Sequence, residues 1–219
     1  MRLLNPRRCR LAAFTLTVAA CVPLAHAGYM EAKAGLAQLL LQRAWQQGLE
    51  NGSAIKPWPW ADTAPIARLQ VARLGISEII LRGDSGRTLA FGPGWAESSS
   101  VPGKPGLSVI SAHRDTHFSF LRDLVAGDQI DIQSDQANRR YEVASLRVVD
   151  AREGEVELVP DSDALILVTC FPFDTFEVGG PLRFVVTAVP VAAGQAQPSV
   201  VASLDSSPLS IGAPRPPRR

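Results

Sequence analysis

Cys170 closes the apolar run Leu165-Ile-Leu-Val-Thr and is followed at once by Phe171-Pro172. The run reads as a strand, and the proline ends its ladder because proline has no N–H to donate. The thiol is thereby delivered to a rim. His113 stands in the same way, after Leu107-Ser-Val-Ile-Ser-Ala and before the polar pair Arg114-Asp115. Arg183 lies 13 residues beyond the cysteine, inside the otherwise apolar stretch Leu182-Arg-Phe-Val-Val-Thr-Ala. An arginine buried there without a partner costs several kcal/mol, so its presence asks for a reason. The three residue types together answer the needs of acyl transfer. A thiol attacks a carbonyl, an imidazole returns a proton to the leaving amine, and a fixed cation steadies the oxyanion. Taken singly, each has a plainer explanation: a cysteine packed as a small hydrophobe, a histidine capping a strand, and an edge-strand charge.

Three cysteines stand at 9, 21 and 170, and only Cys170 falls in the body of the chain. No disulfide can form within that body. An unpaired thiol in an exported protein is a flag for reactivity, because oxidising compartments tend to pair cysteines. Export is the expectation from the N-terminus. Arg2, Arg7, Arg8 and Arg10 precede the apolar run Leu11 to Leu24, and Ala25-His26-Ala27 resembles a cleavage site. The run falls short of the roughly 20 residues that a spanning helix needs, so residues 1–29 fit a signal peptide, or a signal anchor if Ala25 to Tyr29 extends the run. Val18-Ala19-Ala20-Cys21 resembles a lipoprotein acylation site and offers a third fate, a lipid on Cys21. In each case the arginines stay inside and the rest of the chain faces away from the cytoplasm.

The elements that must position these residues follow from periodicity. Met30 to Gln47 carries Leu36, Leu39, Leu40, Ala44 and Trp45 at helical spacing and stops at Gly48, which predicts an amphipathic helix. Asn51 to Asp62 holds Gly52, Pro57 and Pro59 with Trp58 and Trp60, and reads as a linker packed by its two tryptophans, so that helix and linker take up residues 30–64. From Pro65 to Val189 short runs rich in Val, Ile and Leu alternate with turn residues, an all-β texture. The expected strands are Ala67 to Val71, Glu78 to Arg82, Leu107 to Ala112, Gln129 to Gln133, Arg140 to Val149, Glu155 to Val159, Ala164 to Thr169 and Leu182 to Ala188. Eight strands at this spacing suggest a closed barrel or a sandwich, with Phe118 to Leu124 as a helical crossover. Residues 190–219 are rich in Ala, Gln, Ser and Pro and read as a disordered tail.

Composition narrows the function. The net charge is +1, but without the seven terminal arginines 15 basic residues face 21 acidic ones. A mildly acidic body with no basic stripe lacks the footprint of a nucleic-acid binder.

At this point the chain resembles the sortase family of cysteine transpeptidases. The residues that carry the resemblance are Ala112-His113-Arg114-Asp115-Thr116-His117-Phe118, Leu167-Val168-Thr169-Cys170-Phe171-Pro172-Phe173 and Pro181-Leu182-Arg183-Phe184. Ala67-Arg68-Leu69 through Leu74-Gly75-Ile76 and Ala90-Phe91-Gly92-Pro93-Gly94 extend it over residues 65–189. In detail it is most similar to the sortases of Gram-negative bacteria, through Trp58-Pro59-Trp60 and the His113 to Phe118 block. Ala112 departs from the glycine that commonly precedes the histidine. The resemblance implies an eight-stranded sortase-like β-barrel with His113, Cys170 and Arg183 as catalytic residues and Thr169 beside the substrate. It also implies a protein substrate with a C-terminal sorting signal of motif, apolar helix and basic tail, an amine acceptor, and no metal or other cofactor. The location it implies is the cell inner membrane, with the catalytic domain facing the periplasm.

Other readings remain open on the residues alone. An exported cysteine peptidase would use the same thiol, and an L,D-transpeptidase-like enzyme would place its arginine almost next to the cysteine, where this chain has Phe171 and Pro172. A non-catalytic metal site would gather His113, Asp115, His117 and Cys170, but a His-x-x-x-His pair aligns its rings only on a helix. The segments Arg152 to Asp163 and Phe173 to Gly180 are the expected specificity loops.

Overall fold

The computed structural model describes residues 6–135, 137–152, 162–175 and 179–191. A long helix, α1 (Pro6–Asn51), leads into strands β1 (Pro65–Val71) and β2 (Ile76–Arg82) and a one-turn helix, α2 (Gly86–Leu89). β3 (Gly94–Trp95), β4 (Leu107–Ser111), β5 (Gln129–Ser134), β6 (Asn138–Asp150), β7 (Ala164–Cys170) and β8 (Leu182–Pro190) follow. The eight strands close into a barrel in the order β1-β2-β3-β4-β7-β8-β6-β5.

Closure follows from the side-chain patterns. Along β1, Ala67, Leu69 and Val71 are fully buried while the residues between them reach the surface, the period of two that a strand with one core face requires. β7 reads differently, with Ala164 through Leu167 buried in succession. It lies between β4, which runs parallel to it, and β8, which runs antiparallel. Burial of four consecutive residues means that both faces of β7 are covered over that stretch. Leu69, Ile80, Ile110, Leu121, Ile130, Ile132, Tyr141, Leu165, Leu167 and Val186 meet in one core. Each large side chain so buried contributes about 1.5 to 3 kcal/mol.

β3 had no signal in the sequence. It has two residues, pairing with Leu81 and Arg82 on one side and Ser111 and Ile110 on the other. One of them is glycine for a steric reason: a Cβ on Gly94 would run into the carbonyl oxygen of Gly83. The strand expected at Glu155 to Val159 and the tail beyond residue 191 lie outside the described residues. The crossover after β4 is a 3-10 turn, Ser119–Asp123, held by the buried Phe118, Phe120 and Leu121.

The helix is longer than its amphipathic stretch. Met30 to Gln47 and the apolar run Leu11 to Leu24 both fall within α1, which carries Pro23 inside it. Among the described residues no helix is long and apolar enough to cross a membrane. Among the described residues the C-terminal part of α1 meets the barrel: Ala37, Leu41, Ala44 and Trp45 recur at the spacing of one helical face and are buried. Leu41 and Trp45 pack with Ile79, Leu81 and Phe91, and Gln38 donates to the Phe91 carbonyl at 2.7 Å. Of the two linker tryptophans, Trp58 sits edge-on to Phe91 at 5.3 Å, whereas Trp60 is exposed.

Candidate active site

Register alone brings the three expected residues to one rim. On one side of β7, Ser111 of β4 is level with Val168 in the parallel ladder. The ladder continues one residue further, where the Ala112 N–H donates to the Val168 carbonyl at 3.2 Å. The Thr169 hydroxyl then donates to the Ala112 carbonyl at 2.7 Å. His113 therefore leaves β4 level with the end of β7. On the other side, Cys170 is the direct antiparallel partner of Arg183. Directly opposed residues project from the same face of a sheet with Cβ atoms about 5 Å apart, so the thiol and the arginine side chain emerge together. The Phe171 N–H donates to the Leu182 carbonyl at 3.0 Å and closes the pairing.

Each side chain has a defined setting. Cys170 is a half-buried free thiol. His113 is exposed, and its carbonyl accepts the Phe118 N–H at 3.0 Å, which folds the residues after it into a turn. The Arg183 guanidinium donates through Nη1 to the carbonyls of Gly180 at 2.6 Å and Leu182 at 2.9 Å. Two carbonyls thus aim the side chain. Among the described residues no hydrogen bond engages its Nε or Nη2. Asp174, one carboxylate that might have paired with Arg183, is bound by Arg122 at 3.0 Å instead, and Glu177 lies outside the described residues.

One detail, the setting of Thr169, differs from the sequence reading. Thr169 is buried, and its hydroxyl is spent on the Ala112 carbonyl instead of facing a substrate. Ala112 is buried in the core, and its N–H continues the β4 ladder. His117 is engaged on the barrel wall, where its Nδ1 lies 2.9 Å from Oε2 of Glu78 on β2. Among the described residues no group of three metal-binding side chains forms.

Sequence reasoning missed the ties between the histidine segment and the segment that follows Cys170. Arg114 donates to the Thr175 carbonyl at 3.1 Å, and the Arg122 guanidinium lies 5.1 Å from the centre of the Phe173 ring. Phe171 stacks on Phe184, and Phe173 meets Phe184 edge-on at 5.2 Å, so aromatic contacts cross from that segment to β8. No periodicity marks a loop arginine for such a role. Two of the displaced acidities belong to structural pairs away from the rim. Arg139 beside Asp163, just before β7, holds that carboxyl below the usual aspartate range, and the Arg73 guanidinium does the same to Asp128.

The sortase domain family model matches residues 69–191. Sortase D of Bacillus subtilis (strain 168) is 29% identical over 119 residues, which cover 54% of this chain and 60% of that protein. Among solved structures, sortase A from Corynebacterium diphtheriae is 28% identical with a TM-score of 0.54, covering 64% of this chain and 66% of that one. Sortase C-1 from Actinomyces oris is 31% identical with a TM-score of 0.51, covering 58% and 75%. A sortase D5 transpeptidase of Clostridium perfringens, 20% identical with a TM-score of 0.57, shares the fold over 72% of this chain. The chain spans 60% of the length of the curated relative it matches. The family match takes in the barrel almost entire, together with His113, Cys170 and Arg183, and it covers more than half of the sequence: this chain belongs to the sortase family.

Proposed function

We propose that the chain is a cysteine transpeptidase that cleaves a C-terminal sorting signal and passes the acyl group to an amine. In the first step Cys170 Sγ, as thiolate, attacks the scissile carbonyl. The C–N bond breaks, His113 gives its proton to the departing amine, and a thioester remains on Cys170. In the second step an acceptor amine attacks the thioester, its proton passes to His113, and the thiolate leaves. Arg183 holds the carbonyl oxygen through both tetrahedral stages, where negative charge develops. The observation that carries the reading is the direct cross-strand pairing of Cys170 with Arg183, with His113 leaving the neighbouring strand at the same rim.

The substrate we infer is a protein ending in a recognition motif, an apolar helix and a basic tail, the form that a membrane-held sorting signal takes. The enzyme sits at the inner membrane through residues 1–29, with its barrel in the periplasm. The arginines before residue 11 and the apolar run after them support that placement. Trp58-Pro59-Trp60 and the His113 to Phe118 block support a Gram-negative type. A peptidase that lets water take the place of the amine uses the same site and differs only in its acceptor.

Incubating the purified protein with a candidate sorting peptide and a small amine tests the proposal. Mass spectrometry should find an acyl adduct on Cys170 and an amide product, and Cys170→Ala should form neither. Turnover near the wild-type rate in Cys170→Ala would sink the assignment.

A further inference from the structure

His117 and Glu78 lie outside the three residues that perform the chemistry, yet they join the segment that follows His113 to β2. Glu78 is on β2, 39 positions from His117 in sequence, and the Nδ1 to Oε2 distance is 2.9 Å. An ionised carboxylate can only accept, so Nδ1 carries the hydrogen and donates it. Both side chains are largely withdrawn from water, at 18% and 25% exposure, where a charge-assisted hydrogen bond is stronger than at an open surface.

The sheet explains why such a bond has work to do. β3 pairs only two residues on each side, so the upper part of β2 and the rim beyond β4 are joined by no strand. The segment from His113 to Phe118 spans that place. Its inner side is fixed by Phe118, which is wholly buried, and its backbone is folded by the bond from Phe118 N–H to the His113 carbonyl. His117, immediately before Phe118, fixes the outer side to the barrel wall. Two anchors at adjacent residues, one apolar and inward and one polar and outward, define the orientation of a turn that a single anchor would leave free to pivot.

We propose that the Glu78–His117 pair is a positioning device for His113, setting the angle at which the exposed imidazole is presented to the thiol. Neither residue touches the substrate. A turn that pivots carries His113 with it, and misplacement by about 1 Å is enough to lose much of the rate of a proton-transfer step. The proposal rests on the catalytic role assigned to His113 above.

The test measures transpeptidation, melting temperature and the His113 imidazole NMR signals in Glu78→Ala, Glu78→Gln, His117→Ala and the double alanine variant. Each alanine variant is expected to lower kcat between about 10-fold and 100-fold while KM stays nearly constant. Glu78→Gln should recover part of the rate, because its amide oxygen still accepts from Nδ1–H, and His117→Ala carries the predicted loss if Glu78→Ala fails to fold. The double variant should be no slower than the worse single one, since both break one bond. Normal kcat in folded alanine variants overturns the proposal, as do losses that multiply in the double variant. The NMR signals judge positioning independently of turnover. The His113 resonances should shift or broaden in Glu78→Ala and stay nearer their native positions in Glu78→Gln. Unchanged resonances overturn the positioning role even where Cys170→Ala is inactive, and an active Cys170→Ala overturns the functional reading while leaving the NMR result to decide this one.

Discussion

Arg183 spends one guanidinium nitrogen on two carbonyls of its own approach, Gly180 and Leu182, and among the described residues no hydrogen bond engages its other donors. That division predicts how it fails. Removing one donor from an oxyanion site typically lowers turnover by about 100-fold to 1,000-fold, and Arg183→Ala should lose about that much with substrate binding less affected. Arg183→Lys should recover only part, because an ammonium keeps the charge but not the planar fork that reaches carbonyls and substrate together. A fall in melting temperature with normal turnover would make Arg183 a strut for the start of β8 and remove it from the chemistry. A thiol-directed alkylating reagent should modify native Cys170, which is half-buried and unpaired. Failure to react would mark it as an inert core residue.

At the scale of the element, the strands that carry the site are held at their far ends by ions. Arg139 makes a two-pronged bond to Asp163, and Asp163 also accepts the Gly106 N–H at 3.1 Å, so one carboxylate ties together the approach to β4, the start of β6 and the start of β7. Its pKa is lowered chiefly by the hydrogen bond from Arg139. A carboxyl with a folded value below its unfolded one stabilises the protein at pH above the unfolded value, and that contribution fades as pH falls through the folded value. Acid melting below about pH 3.9 should therefore be shallower in Asp163→Asn than in wild type, and at pH 7 the variant should be less stable by about 1 kcal/mol. An identical acid profile for the two would show that the pair is not coupled to folding. β3 offers a steric test. Gly94→Ala sets a methyl group against the Gly83 carbonyl, and should lower stability by about 1 to 3 kcal/mol through the shift it forces in the β2 edge.

For the whole molecule, α1 divides into a part that touches the barrel and a part that does not. Ala37 to Trp45 supplies the contact with Ile79 and Leu81, whereas Phe14, Leu16, Val22, Leu24 and Tyr29 are exposed. Trp45→Ala should cost about 3 kcal/mol, as removing a buried tryptophan generally does. Deleting residues 1–29 should leave the melting temperature almost unchanged and abolish recovery of the protein with membranes. If that shortened chain still sediments with membranes, the anchor lies elsewhere. A reporter fused after residue 62 should be active outside the cytoplasm, and cytoplasmic activity would overturn the proposed placement.

Much of this was legible in the residues because it depends on local pattern. Cys170 and His113 each close an apolar run before a break, and a run of that kind declares a strand and its exit whatever the neighbours are. Seven of the barrel strands announce themselves in this way or come within a few residues of doing so, apart from β3, whose two residues are too few to carry a period. What the sequence could not contain is register. That Cys170 meets Arg183 instead of a residue one place along is decided by the β7–β8 ladder, and a slip of one would turn the arginine to the opposite face. The same holds for Thr169, whose hydroxyl belongs to Ala112 only because β4 and β7 run parallel and level, and for His117, whose partner Glu78 is fixed by how the barrel closes. Residue types and strand exits are properties of a stretch of chain, while opposition across a ladder and contact across a gap are properties of the closed barrel, and only the tertiary structure could decide them.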